Sequence, residues 1–162
     1  IGIKVYLRSE IYYTEKSYKK LLKNELKTIN DSKYFIIEFP MHHPTDIDEI
    51  MYDAKVKGFN PILAHPERYN FLNDVASIKQ NALIQVNTTS ILGQHGRSIK
   101  KFAFELMKNN LVDFVSSDCH NSHERNVNLE KTYKIVSKKF GKTYADKIFR
   151  INQEKLIEEI DK

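Results

Sequence analysis

Short apolar runs rich in Ile, Val, Phe and Tyr alternate along the chain with stretches whose apolar positions recur at helical spacing. Ile3 to Tyr13 predicts a strand and Lys16 to Leu26 a helix. Tyr34 to Phe39 predicts a buried strand, stopped by Pro40. Thr45 to Lys57 is the clearest helix: Ile47, Ile50, Met51 and Ala54 share one face, Thr45 can cap the start, and Gly58 can end it. Pro61 to Ala64 then predicts a strand, Leu72 to Gln80 a helix, and Leu83 to Val86 a strand. Ser98 to Asn110 follows as a helix with Ile99, Phe102, Ala103 and Leu106 inward. Val112 to Ser116 is a strand, Leu129 to Phe140 a helix, and helical stretches at Tyr144 to Arg150 and Gln153 to Ile160 close the pattern. Strand and helix alternating with short connections predicts an α/β fold of parallel strands, as an open sheet or part of a barrel. No linker, repeat or low-complexity stretch divides it, so residues 1–162 are expected to form a single domain.

Composition narrows the class. With 162 residues, 41% hydrophobic and 29% charged, the chain has the balance of a globular domain and not of a disordered one. No apolar run nears the roughly 18 residues of a membrane span, and no leader of basic-then-apolar type opens the sequence. The single Cys119 excludes an intrachain disulfide and fits a reducing cytoplasm. The net charge of +5 raises nucleic acid as a partner, but only five of 26 cationic residues are arginine. The lysines follow helix-like stretches (Lys16, Lys19, Lys20, Lys23, Lys27; Lys131, Lys134, Lys138, Lys139) with no base-stacking aromatics among them. They predict solvated helix faces; anionic substrates remain open. The chain starts at Ile1 and its first methionine is Met41, so a preceding segment is expected.

The polar residues at the predicted strand ends carry the chemistry. Glu10 and Glu38 lie late in the first two strands, and His65, Asn87 and Asp118 with His120 follow the next three, at spacings of 28, 27, 22 and 31 residues. Each spacing is one strand-helix unit, so these residues are expected on one rim, the C-terminal face where α/β sites are built. Three carboxylates and two histidines gathered there repel one another or lose solvation unless a cation joins them. The oxygen and nitrogen donors suit manganese, iron, zinc or magnesium more than a thiolate-loving ion. Taken singly, each has a plainer account: a surface glutamate, a turn asparagine, a turn histidine before Pro66. Their shared topological position argues otherwise. His42, His43, His95 and His123 lack it and are read as surface or loop residues.

Ser-Glu-Ile-Tyr-Tyr-Thr (Ser9 to Thr14), Ile-Glu-Phe (Ile37 to Phe39), Ala-His-Pro-Glu-Arg-Tyr (Ala64 to Tyr69), Gln-Val-Asn (Gln85 to Asn87) and Ser-Asp-Cys-His-Asn (Ser117 to Asn121) followed by Arg125 stand in that order. Together they resemble the bacterial manganese-dependent protein-tyrosine phosphatases of capsule and exopolysaccharide synthesis, within the polymerase and histidinol phosphatase (PHP) superfamily. The resemblance runs from Glu10 onward, and the combination is specific where each motif alone is weak. It implies a distorted seven-stranded (βα) TIM-like barrel carrying up to three metal ions, here lacking about the first two βα units. It implies that Glu10 bridges two metals, that Glu38 and His65 complete the second, that Asp118 serves the first, and that His120 serves the third. Arg68 and Arg125 would clamp the substrate phosphate, since guanidinium forks match phosphoryl oxygens bidentately. The implied partner is the phosphotyrosine tail of a bacterial tyrosine kinase, with manganese as the cofactor and no covalent phosphoenzyme.

The resemblance departs at the front, where the family's His-x-His strand, Asp-rich loop and further histidine have no counterpart. Fewer than three ions are therefore expected in this chain, together with an open sheet edge that favours association between copies. Two other readings stay open: another PHP phosphoesterase of the histidinol-phosphate phosphatase type, and a non-catalytic metal- or phosphopeptide-binding module. Cys119 and Arg125 also have the Cys-x5-Arg spacing of thiolate phosphatases. The intervening segment lacks glycine and contains Glu124, so it is a poor phosphate cradle, and Cys119 is read as a small packing residue.

Overall fold

The computed structural model describes residues 5–6, 9–120 and 127–162. Five strands, β1 (Glu10–Tyr12), β2 (Tyr34–Glu38), β3 (Asn60–Ala64), β4 (Leu83–Asn87) and β5 (Phe114–Ser116), form one parallel sheet in the order β1-β2-β3-β4-β5. Consecutive strands are neighbours throughout, without the order reversal of a doubly wound sheet.

Alternation along the strands sorts side chains to two faces. Phe35, Ile37, Leu63, Ile84, Val86 and Val115 share a buried core with helices α2 (Ile47–Val56) and α5 (Arg97–Lys108), which add Ile47, Met51, Ala54, Ala103, Leu106 and Met107. The opposite face carries Ile36, Ile62, Ala64 and Phe114. Against it pack Leu156 and Ile160 of the last helix, α8 (Asn152–Ile160). This second face of the sheet is therefore partly covered by the chain's own C-terminal helix.

Helix starts follow local capping chemistry. Thr14 Oγ1 accepts from Ser17 N (3.0 Å) and Ser17 Oγ accepts from Thr14 N (2.8 Å), a reciprocal box that begins α1 (Glu15–Leu22) directly after β1. At α2 the cap is Asp46, which accepts from Glu49 N; Thr45 turns back to the His43 carbonyl. Gly58 ends that helix with φ +87, a conformation glycine adopts without a Cβ clash.

Several expected bounds shift. The first described strand is three residues long, and part of the predicted Ile3 to Tyr13 span lies outside the described residues. The helix at Leu72 to Gln80 contracts to α3 (Val75–Ile78) under an Asp74 cap. Thr88–Leu92 forms an unforeseen helix, α4, immediately after β4. After α6 (Leu129–Phe140), the two closing stretches are continuous: α7 (Lys142–Asp146) passes through a π turn (Lys147–Ile151) into α8. Cys119 is exposed, so the packing role expected for it does not hold. Here β5 has already ended, and no core surrounds the thiol.

Candidate metal centre

The register places Glu10 opposite Ile36, so Glu10 and Glu38 project from the same face of adjacent strands. His65 follows β3 in a left-handed conformation (φ 35), unusual for a non-glycine residue. Its backbone N–H donates to the Gln85 carbonyl at 2.8 Å, and its side chain is buried. That turn brings His65 Nε2 within 3.3 Å of both Glu10 Oε1 and Glu38 Oε2. One donor atom from each of the three residues lies within 4.8 Å of the others. Among the described residues this is the group of His, Cys, Asp and Glu side chains compact enough to hold a metal ion.

The electrostatics fit a cation. Burial opposes charge on the His65 imidazole, but its bonds to Glu10 and Glu38, with Glu67 nearby, win and raise its pKa to about 9. Bonding to His65 holds the Glu38 carboxyl below its usual range against the effect of burial, with Arg68 and His120 adding in the same direction. A positive charge is thus held between two carboxylates, first as a proton. A divalent ion bound by the same donors would replace that proton and use the imidazole as a neutral ligand.

Other expected site residues collect beside this group. Asp118 also has a left-handed backbone (φ 48). Its Oδ2 accepts from Asn87 Nδ2 at 2.8 Å and lies 4.0 Å from Arg68 Nη1. His120 Nδ1 is 2.9 Å from the Asp118 carbonyl oxygen and 3.3 Å from its Oδ1, with the ring more than half exposed. Asp118 and His120 therefore form a second cluster and do not join the triad. Arg125 lies outside the described residues, as does His123. His42 and His43 are exposed, whereas His95 is half-buried with Nε2 3.0 Å from Thr89 Oγ1.

Two residues of the Ala-His-Pro-Glu-Arg-Tyr segment were not singled out by the strand-end pattern. Glu67 is buried, its Oε1 accepts from Asn87 N at 3.0 Å, and burial pushes its pKa upward. Tyr69 is buried too; its hydroxyl donates to the Ala64 carbonyl at 2.9 Å and accepts from Phe39 N at 3.0 Å. The available signal was the motif itself, an acid and a phenol two and four residues past the histidine. Beside them runs a groove of about 580 Å³ lined by His42, Arg68, Leu72, Ile99 and Phe102, and open to solvent at Asn70, Asn73 and Ser98. Ile99 and Phe102, expected inward on α5, are only half-buried because they face this groove.

The family model for capsular polysaccharide synthesis proteins CpsB/CapC matches residues 1–158. The tyrosine-protein phosphatase YwqE of Bacillus subtilis is 35% identical over 75% of this chain and 50% of its own length. The tyrosine-protein phosphatase CpsB of Streptococcus pneumoniae is 33% identical over 92% of this chain and 66% of its own. A solved structure from work on YwqE and S. pneumoniae CpsB, described as metal-dependent tyrosine phosphatases, superposes with a TM-score of 0.76 at 31% identity. It covers 85% of this chain and 58% of that one. The chain spans about half to two thirds the length of these relatives.

Proposed function

Because the chain belongs to the CpsB/CapC family of capsular polysaccharide synthesis proteins, we propose that it is part of a metal-dependent phosphotyrosine-protein phosphatase. The observation that carries this reading is the convergence of Glu10 of β1, Glu38 at the end of β2 and His65 just after β3. The donor set, two carboxylates and one imidazole, is that of a hard to borderline divalent ion, and manganese is our assignment. When bound, such ions polarise phosphoryl oxygens and activate water for in-line attack, so no covalent phosphoenzyme is needed.

Within this reading Glu10, Glu38 and His65 hold one ion, and Asp118 and His120 contribute to further ions. Arg68 is held at the rim near Asp118, with its side chain mostly buried. Its fork would orient the phosphoryl group and neutralise charge gathering there. Arg125 would act with it. The five sequential strands are consistent with one wall of a distorted seven-stranded PHP-type barrel, to which two preceding βα units would be added.

The groove beside Arg68 favours a polypeptide substrate over a small metabolite. A small-substrate hydrolase encloses its ligand, whereas this channel is open along one side and mixes apolar Leu72 and Phe102 with exposed carboxamides. The tail of a tyrosine kinase fits that description. Titrating the purified chain with Mn²⁺ while following phosphate release from p-nitrophenyl phosphate and from a phosphotyrosine peptide tests the proposal. Saturable, EDTA-reversible turnover with the peptide preferred is expected. Stoichiometric Mn²⁺ binding without turnover of either substrate would identify a binding module instead.

A further inference from the structure

Between β2 and β3 the ladder stops at Ile37 and Leu63, and between β4 and β5 at Asn87 and Ser116, so across these two pairs strand bonding stops short of Glu38, His65 and Asp118. Three buried side chains continue the lateral connection past that point. The Tyr69 hydroxyl joins β2 to β3, accepting from Phe39 N, just after Glu38, and donating to Ala64 O, just before His65. Glu67 Oε1 joins the turn after β3 to the end of β4 by accepting from Asn87 N. The Asn87 carboxamide then joins β4 to the segment after β5 by donating to Asp118 Oδ2. The two Tyr69 bonds lie next to Glu38 and His65, the Asn87 carboxamide bonds Asp118 itself, and the Glu67 bond starts two residues past His65.

We propose that Tyr69, Glu67 and Asn87 are positioning residues, a buried lateral brace that holds the metal-binding side chains of β2, β3 and β5 at ligating distance. This rests on the metal reading above. The brace is not general core packing. All three residues are almost fully buried, and each bonds the backbone or a side chain at a strand end, where removing one partner leaves a buried donor or acceptor unmet. Glu67 Oε2 and His65 Nδ1 are themselves buried without a partner among the described residues, a cost that a purely structural segment has no reason to bear. The strained backbone at His65 also needs an external restraint to persist, and the turn from Pro66 to Tyr69 supplies two. Outer groups of this kind orient the ligands of metal sites and govern affinity without touching the ion.

The test measures Mn²⁺ affinity by calorimetry on the whole chain, alongside thermal midpoints and amide exchange. Tyr69→Phe deletes one hydroxyl, and Glu67→Leu removes the acceptor for Asn87. Both are expected to weaken Mn²⁺ binding by about tenfold to a hundredfold while the circular dichroism spectrum stays native. Glu67→Gln keeps an acceptor oxygen in place and should stay within about threefold of the parent, rescuing the leucine variant. Tyr18→Phe is the control. It deletes a hydroxyl bonded to Asp53 and the Ile50 carbonyl, away from the strand-end rim, and should lower the midpoint without changing Mn²⁺ affinity. Unchanged affinity in Tyr69→Phe and Glu67→Leu, or an equal loss in Tyr18→Phe, overturns the brace. If the parent chain binds no Mn²⁺, the metal reading fails, and amide exchange decides the brace by itself. Selective loss of protection at Phe39 in Tyr69→Phe and at Asn87 in Glu67→Leu supports it, and exchange unchanged from the parent refutes it.

Discussion

At the residue scale, His65 concentrates the constraints of the site: left-handed backbone, near-complete burial, and two carboxylates at 3.3 Å from one ring nitrogen. Its charge state gives a pH signature. Because the folded pKa is raised above 6.5 to about 9, the imidazolium stabilises the chelated protein fully below about pH 6.5, and that contribution fades as pH rises through 9. Thermal midpoints in EDTA should therefore fall between pH 6.5 and 9, and His65→Gln should flatten the profile; a flat profile in the parent would contradict the pairing. For turnover in the active enzyme, His65→Ala should remove most activity, whereas substitution of exposed Cys119 by Ser should leave it within a few-fold. Arg68→Lys should lower kcat/KM by about tenfold or more, since a point charge cannot reproduce a bidentate fork. An enzyme killed by Cys119→Ser and indifferent to chelation would belong to thiolate chemistry, a result that kinetics with iodoacetamide would expose. His65 was legible in the sequence because it stands where a strand ends. Its left-handed turn was not, since nothing in Ala-His-Pro dictates that conformation without the Gln85 carbonyl to receive its N–H.

At the element scale, the short helix α1 begins on the Thr14–Ser17 box two residues after β1 ends. Thr14→Ala should cost about 1 kcal/mol in urea denaturation, with an unchanged m-value. Amphipathic period identified α2, α5 and α6, whose apolar rows are long enough to repeat. It missed α4, because Thr-Thr-Ser-Ile-Leu is too short for a period and rich in residues that favour turns and strands. It also divided α7 from α8, since the π turn shifts the apolar row out of register.

Over the whole molecule, the distribution of apolar surface decides what the chain does alone. One face of the sheet lies under α2 and α5, and the other is partly covered by α8, while β1 and β5 form the two sheet edges. Leu156→Lys should uncover the face under α8 and be read as increased binding of a hydrophobic dye with a lower thermal midpoint. The edges should also make the chain associate with itself in light scattering, and covering one edge should suppress this. Across the described residues no helix is long and apolar enough to cross a membrane, in line with the hydropathy of the sequence.

The sequence by itself determined the class of fold and where its polar strand-end residues gather. Strand and helix periods are local properties, and one polar residue per strand end at unit spacing is enough to predict a shared rim. Glu10 and Glu38 share a face there by register, and the left-handed turn after β3 brings His65 to them. Tertiary structure alone decided how the rim is held and which residues share a cluster. The bonds of Tyr69 to Phe39 and Ala64, of Glu67 to Asn87, and of Asn87 to Asp118 join partners 5 to 31 positions apart. No local pattern encodes such pairs, because each depends on the exact lateral spacing of strand ends after the ladder has stopped. The seat of α8 on the sheet face opposite α2 and α5 has the same origin: its apolar row marks a buried side, and only the packed sheet says which surface buries it.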